Sequence, residues 1–306
     1  MNDLIAIRSG KKKKVLKRLE PYLFCLPLIF CLFGLFAYPM IRAVVISFQK
    51  YKLSQLNKVK FIGWDNYIKS LKDSNLGMIT WNTVKYVVIV VGMQFLLGFG
   101  LALALRRPFR FRNIYQSIAF IPYALSGFVC GLMFRWSFNG EYGVINDLLM
   151  KTGLTSEKIS FLGTPGLSII PVYVAAIWLG YQFFAIMLLA ALQSIPQEVY
   201  ESAELDGCGW WRRLFSIIIP YIRPTLLTIL MLRVVWTFNS YELVYVITEG
   251  GPAYSSETLS SYLFTRAYGS LDFGAASALG LMFALVLLIC AGIYMKLTKF
   301  SKAGDF

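Results

Sequence analysis

The chain has no histidine. Imidazole titrates near neutral pH and is the commonest metal ligand, so its absence removes His-based triads, the zinc-protease helix motif and most catalytic metal sites. No G-x-x-x-x-G-K-[ST] run occurs either, which leaves the chain unable to hydrolyse a nucleotide by itself. Cysteine is sparse and wrongly spaced for metal binding or bridging. Cys25, Cys31, Cys130, Cys208 and Cys290 fall inside apolar runs or on one loop and read as buried thiols. Charge is thin, at 15% of residues against about 25% in a soluble domain. Carboxylates are the scarcer sign, with 16 Asp and Glu against 30 Lys and Arg. Paired buried carboxylates for acid–base work are missing, which disfavours a membrane enzyme. Internal repeats and low-complexity segments are missing too.

What the chain has in quantity is apolar length: 57% of its 306 residues are hydrophobic. Six runs reach the roughly twenty helical residues that a ~30 Å hydrocarbon layer requires, at about 22–48, 80–105, 114–136, 168–192, 214–239 and 273–297. They are continuously apolar, unlike the alternating strands of a barrel, so they predict six transmembrane helices in one all-α polytopic domain over 22–298. Pro27, Pro39, Pro122, Pro220 and Pro224 interrupt or flank these runs. In lipid the carbonyls they free need neighbouring helices, which implies a packed bundle. The lysine cluster before the first run suits a secretory signal, yet the run is much longer than a signal core and no A-x-A-type site follows. An uncleaved spanning helix is expected there.

The formal net charge of +14 does not point to nucleic acid, because the basic residues sit in short clusters between apolar runs. Membrane orientation explains them better. The basic N-terminus (1–21), the loop from Arg106 to Arg112, Arg212-Arg213, and Lys296 with the tail at 299–306 share one face if six helices alternate. That face is predicted to be cytoplasmic, with both termini there, in a bacterial cell membrane. The first loop of the opposite face weakens the bias with Lys50, Lys52, Lys58, Lys60, Lys69 and Lys72. These lysines surround a folded-looking stretch from Phe61 to Tyr67.

The most informative loop, 194–215, joins the fourth and fifth runs. Ser194 and Gln197 have capping-box spacing and Pro196 suits a first helical turn, so a short helix is expected to begin there. Gly207 is placed to end it in a left-handed turn, and Asp206 to help cap a second short helix through Trp210, Trp211 and Phe215. Glu198, Glu201, Glu204 and Asp206 make this helix-turn-helix knob acidic within a basic protein, which suits docking against basic groups. A plain connector with solvated charges accounts for the same residues.

Within this loop, Glu201-Ser202-Ala203, then Asp206-Gly207, then Ile219-Pro220 resemble the E-A-A…D-G…L-P coupling-loop signature of ABC importer permeases. Ser202 stands for the usual Ala and Ile219 for the usual Leu. Asn82-Thr83 and Gly250-Gly251-Pro252 are also typical of carbohydrate-importer permeases of the maltose type, and the Gly-Gly-Pro loop resembles the first of their two non-identical permeases. The likeness extends over nearly the whole chain. It implies a type I ABC importer fold whose knob, 197–215, sits in a cleft of a cytoplasmic ATPase dimer, with Glu201 as main contact and Gly207 as turn. Glu198, Ser202, Ala203 and Asp206 complete the expected coupling set. The implied partners are a second permease, that ATPase dimer, an extracytoplasmic solute-binding protein and a sugar. ATP and Mg would be held by the ATPase subunits and no cofactor by this chain.

Polar groups inside spans are costly and are functional candidates by default. Arg233, Thr237 and Ser240 share a helical face in the fifth run, flanked by Trp236 and Tyr241. Rings that stack on sugar faces beside hydrogen-bonding groups suit a hydroxyl-rich ligand. The stretch Trp178-Leu179-Gly180-Tyr181-Gln182-Phe183 offers a similar mixture in the fourth run. The family resemblance places a sugar site on these two spans and maps it onto Leu179, Gly180, Phe183, Thr237, Asn239 and Ser240. Against this, Arg233 accounts equally for a helix bridge, and Trp and Tyr for interface anchors. Arg42, Lys85 and Arg135 read as snorkelling span-end residues. Glu242 is expected at the partner permease or the outer gate. Glycerol phosphate or a polyol remains a possible cargo, since Arg233 suits a phosphate. A stand-alone secondary transporter is disfavoured, because it needs intramembrane ion-coupling carboxylates and usually a repeat.

Overall fold

The computed structural model describes residue 22 and residues 24–298. The basic N-terminal cluster and the tail at 299–306 lie outside the described residues. In chain order the elements are α1 (Phe24–Ser47), the two-residue strands β1 (Gln49–Lys50) and β2 (Lys60–Phe61), α2 (Asp65–Leu71), α3 (Leu76–Arg106), α4 (Arg112–Phe120), α5 (Gly127–Ser137) and α6 (Val144–Lys151). They continue with α7 (Ile169–Gln193), α8 (Gln197–Leu205), α9 (Trp210–Arg213), α10 (Ile219–Asn239), α11 (Glu242–Thr248), α12 (Leu259–Phe264) and α13 (Phe273–Leu297).

Among the described residues, five helical stretches are long and apolar enough to cross a membrane, six if one bent pair is taken as a single span. That pair corrects the expectation of one continuous third span over 114–136. The chain bends by 94° between Arg112–Ala124 and Gly127–Ser137. Pro122 sits in a tight 3₁₀ turn, Leu125 is extended, and the Ser126 hydroxyl accepts from the Val129 N–H to start α5 afresh. A single serine cap inside an apolar run divides it while lowering its mean hydropathy only slightly. The fifth span differs as well. It begins at Trp210 and, with a break at Ser240, continues through Thr248, 39 residues in all.

The bundle centre is the pairing of α3 with α7. Without a hydrophobic drive between helices in lipid, close approach over small residues supplies the contact energy. A Cβ on Gly98 would meet Phe184 Cβ at 2.5 Å and the Tyr181 carbonyl oxygen at 2.6 Å, so only glycine permits this crossing. One apolar cluster gathers Ala102, Leu105, Phe184, Leu188 and Leu192 with Ile222 and Ile229 of α10. A second, nearer the other end, joins Tyr86, Val90, Val172 and Ala175 to Val244 and Ile247 of α11. By contrast the membrane window of α1 buries none of its residues. Its second half packs along α13.

The Phe61–Tyr67 stretch is folded around side-chain bonds. Asn66 Nδ2 donates to the carbonyls of Ser47 (2.8 Å) and Gln49 (2.9 Å), and Phe48, Trp64 and Tyr67 form a ring cluster. Its two short antiparallel strands pair Gln49 with Phe61 and Lys50 with Lys60, a small exception to an otherwise helical chain.

Candidate functional site

The knob between α7 and the fifth span forms, with two corrections to its capping. Ser194 Oγ donates to the Ala191 carbonyl (2.8 Å) instead of receiving the Gln197 amide, so no capping box exists. Pro196 is the cap residue, and its lack of an N–H suits a helix start. Nor does Asp206 cap the second helix, whose cap residue Gly209 has no side chain to offer. That helix is the head of the fifth span, because α9 runs through one π-helical turn (Leu214–Ile218) into α10. The turn itself is as expected. Gly207 lies at φ +66°, and the Cys208 N–H bonds back to the Ala203 carbonyl at 2.9 Å, closing α8.

Burial divides the expected coupling set. Glu198, Glu201, Ser202, Asp206 and Gly207 are exposed, and Ala203 is buried against the bundle. Leu205 at 89%, Trp211 at 68% and Phe215 at 61% exposure add an uncovered apolar edge. Tyr200 anchors the other side: it is buried and has the Arg106 guanidinium 3.5 Å from its ring centre.

Inside the bundle a cavity of about 170 Å³ brings together Leu179, Arg233, Trp236, Thr237 and Ser240 from the expected pathway. Tyr86 and Gln94 of α3 complete its polar wall, two residues the sequence reading missed. The available signal was an amide in mid-span, a polar group that lipid leaves unsatisfied unless a neighbouring helix pairs with it. Arg233 Nε donates to Gln94 Oε1 (2.6 Å), and Gln94 Nε2 donates to the Ala176 carbonyl (2.7 Å). A Cβ on Gly180 would lie 1.7 Å from Arg233 Nη2 and 2.2 Å from Gln94 Nε2. Gly180 therefore opens the passage through which the guanidinium crosses α7. The Arg233 side chain bridges helices and lines the cavity at once.

The remaining expected residues lie outside the cavity wall. Phe183 packs edge-on against Trp236 (5.1 Å between centroids) and under Arg233. Tyr181 donates to the Ala119 carbonyl of α4 at 2.9 Å. Gln182 is fully buried, with Nε2 bonded to the Trp178 carbonyl. Asn239 turns to the surface and bonds its own helix at Val235. Arg135 is tied to α11 and the residue after it, donating to the Val246 carbonyl (3.0 Å) and Glu249 (3.2 Å), so it is no free snorkelling group. Glu242 lies over Gly127 of α5 within this chain.

At the end of the bundle away from the knob, the two distant motif fragments meet. Asn82 Nδ2 donates to the carbonyls of Tyr254 and Ser255 (both 3.1 Å), and Thr83 Oγ1 accepts from the Leu259 N–H at 2.8 Å. The Gly250-Gly251-Pro252 turn folds over Glu257, which is buried and receives the Ser261 hydroxyl at 2.9 Å. Burial pushes this carboxyl up to about 7 against the Ser261 bond that opposes the rise. Beside it Tyr262 and Arg266 both donate to Asp73. Burial alone would raise Asp73, yet the bonds from Tyr262, the Asn75 N–H and Arg266 outweigh it and hold this carboxyl low.

Residues 94–300 match the family model described as binding-protein-dependent transport system inner membrane component. The chain is 35% identical over 283 residues to the sulfoquinovosyl glycerol transport system permease protein of Agrobacterium fabrum, covering 92% of this chain and 91% of that one. It is 28% identical over 281 residues to the trehalose/maltose transport system permease protein of Thermococcus litoralis, with 92% and 94% covered. A chain of the crystal structure of a bacterial alginate ABC transporter, bound to an alginate pentasaccharide-loaded periplasmic protein, superposes with a TM-score of 0.80 at 23% identity, over 93% of this chain and 96% of that one, and shows the shared fold. With the spanning helices and these matches together, the chain belongs to the inner-membrane components of binding-protein-dependent ABC transport systems.

Proposed function

We propose that the chain is one permease of a heterodimeric, ATP-driven importer that receives a sugar or oligosaccharide from an extracytoplasmic binding protein. In this reading α8 and the Gly207 turn dock in a cleft of a cytoplasmic ATPase, and both chain termini lie on that side. A second, non-identical permease completes the pore. ATP and Mg act on the ATPase dimer, and this chain performs no covalent chemistry. The relatives named above, permease proteins of a sulfoquinovosyl glycerol transport system and of a trehalose/maltose transport system, support the sugar class.

One observation carries the reading: the second helix of the knob and the polar cavity belong to one helical stretch, joined to α8 by the Gly207 turn. Trp210, beside the Gly207 turn, and Arg233, Thr237 and Ser240 in the cavity wall all lie on the Trp210–Thr248 span. Closure of a motor around α8 therefore moves the wall of the substrate cavity directly. The transport cycle is a population shift between inward- and outward-open bundles, biased by nucleotide at the far end of that span.

The test is the reconstituted importer with its binding protein. Glu201→Lys places a cation where a basic cleft is expected, and Gly207→Pro forbids the positive φ of the turn. Both should lose sugar-stimulated ATP hydrolysis and uptake while the complex still assembles. Wild-type stimulation in both variants would refute the docking assignment.

A further inference from the structure

The arginines beside the knob do something the coupling reading leaves unused. Arg106, the last residue of α3, and Arg213, the last of α9, line one cavity of about 570 Å³ with Arg107, Gln197, Tyr200 and Glu204. None of the three arginines forms an ion pair among the described residues, and neither does Glu204. The cavity thus holds an excess of positive charge. Two polar atoms on its lining residues, the Tyr200 hydroxyl on a side chain only 4% exposed and Arg213 Nε, are buried without a hydrogen-bond partner among the described residues. Burying such groups unpaired is costly, the more so where a charge is involved.

Burial pushes the Tyr200 phenol up, with Arg106 and Arg213 pulling the other way, so it remains a donor at neutral pH. The three arginines outweigh the one carboxylate of the lining, Glu204, and an oxyanion supplies acceptors for the guanidiniums and the hydroxyl. Guanidinium forks match the oxygens of phosphate in pairs, which a lone carboxylate or halide does less completely. Arg106 and Arg213 also stand at the ends of two spans, the depth of lipid headgroups, where basic pockets between helices hold phosphate-bearing lipids.

We propose that this cavity binds a phosphate-type anion, gripped by Arg106 and Arg213 with a further bond from the Tyr200 hydroxyl. The anion ties α8 to the ends of α3 and the fifth span, so its occupancy stiffens the base of the knob. A lipid phosphodiester and free phosphate present the same oxygens.

The experiment uses the full-length chain within its purified importer, in nanodiscs of phosphatidylcholine and phosphatidylglycerol at about three to one. Native mass spectrometry counts the phosphatidylglycerol retained after washing. The wild type should retain it, the Arg106→Gln/Arg213→Gln double variant should bind about tenfold more weakly, and Tyr200→Phe several-fold more weakly. Arg110→Gln, an exposed arginine of the same loop outside the cavity, should match the wild type. In nanodiscs of phosphatidylcholine alone, radiolabelled inorganic phosphate replaces the lipid. Binding of phosphate there that the double variant loses identifies a free anion as the occupant, and retention of lipid alone identifies the headgroup. Tyr200→Phe preserves both guanidiniums and the ring, so it keeps the test open should the double variant fail to assemble. Equal loss in Arg110→Gln, retention of neither anion, or a cross-link from Arg213 to an ATPase carboxylate in the wild-type complex would overturn the proposal.

Discussion

The two ends of this bundle spend their polar residues in opposite ways. At the knob, Glu198, Glu201 and Asp206 are exposed and form no ion pair among the described residues. At the other end, Asn82, Thr83, Glu257, Thr258 and Ser261 are nearly all buried and bonded to one another or to backbone. A closed network rigidifies the segment that contains it, while an open one awaits another surface to complete it. The distal end is finished within the chain, and the knob is not.

Breaking the closed end should cost the most. Gly250 lies at φ +81°, and a Cβ there would sit 1.6 Å from Glu257 Oε2. Gly250→Ala combines backbone strain with a clash against a buried carboxylate and should destabilise the protein by about 4 kcal/mol, read as a lowered unfolding temperature of the purified importer. A smaller effect is expected from Glu257 and depends on pH. Its carboxyl titrates near 7 in the folded chain instead of near 4.5, so the folded state holds a proton that the unfolded state releases. Stability should therefore fall as pH rises through about 4.5 to 7 and level off above, a change of about 3 kcal/mol that Glu257→Gln removes. Unfolding temperatures of the two proteins between acidic and neutral pH give the comparison, and parallel curves would show that Glu257 is already ionised in the fold.

The smallest effect belongs to the open end. Glu201→Lys alters an exposed, unpaired charge and should shift stability by no more than about 0.5 kcal/mol, even as it abolishes coupling. A large stability loss there would mean that the knob is held by its own chain and would erase the contrast.

Much of this architecture could be read from local pattern. Apolar length marked five spans, and Gly207 in a polar loop marked its left-handed turn, because both depend on neighbours in sequence. The face of Arg233, Thr237 and Ser240 followed from helical spacing alone. What failed depended on tertiary choice. Ser194 had a second acceptor, the Ala191 carbonyl, and took it in place of the cap. The third run was read as one span despite Pro122, since one proline and the Ser126 cap lower the hydropathy of so apolar a run too little to divide it. Gln94 went unnoticed because its meaning lies in Arg233, 139 residues away; Asn82 was singled out, but its partners are carbonyls 172 and 173 residues away. Motif fragments indicate that such positions matter but not which partners they find.

The run from Trp210 to Asn239 has a mechanical consequence. At 1.5 Å per residue it is a strut roughly 45 Å long, so a tilt of about 5° around its middle swings each tip by roughly 2 Å, in opposite directions. Whatever pushes the tip near Gly207 one way carries Thr237 the other, and a seesaw of this kind narrows one mouth of a channel as it widens the other.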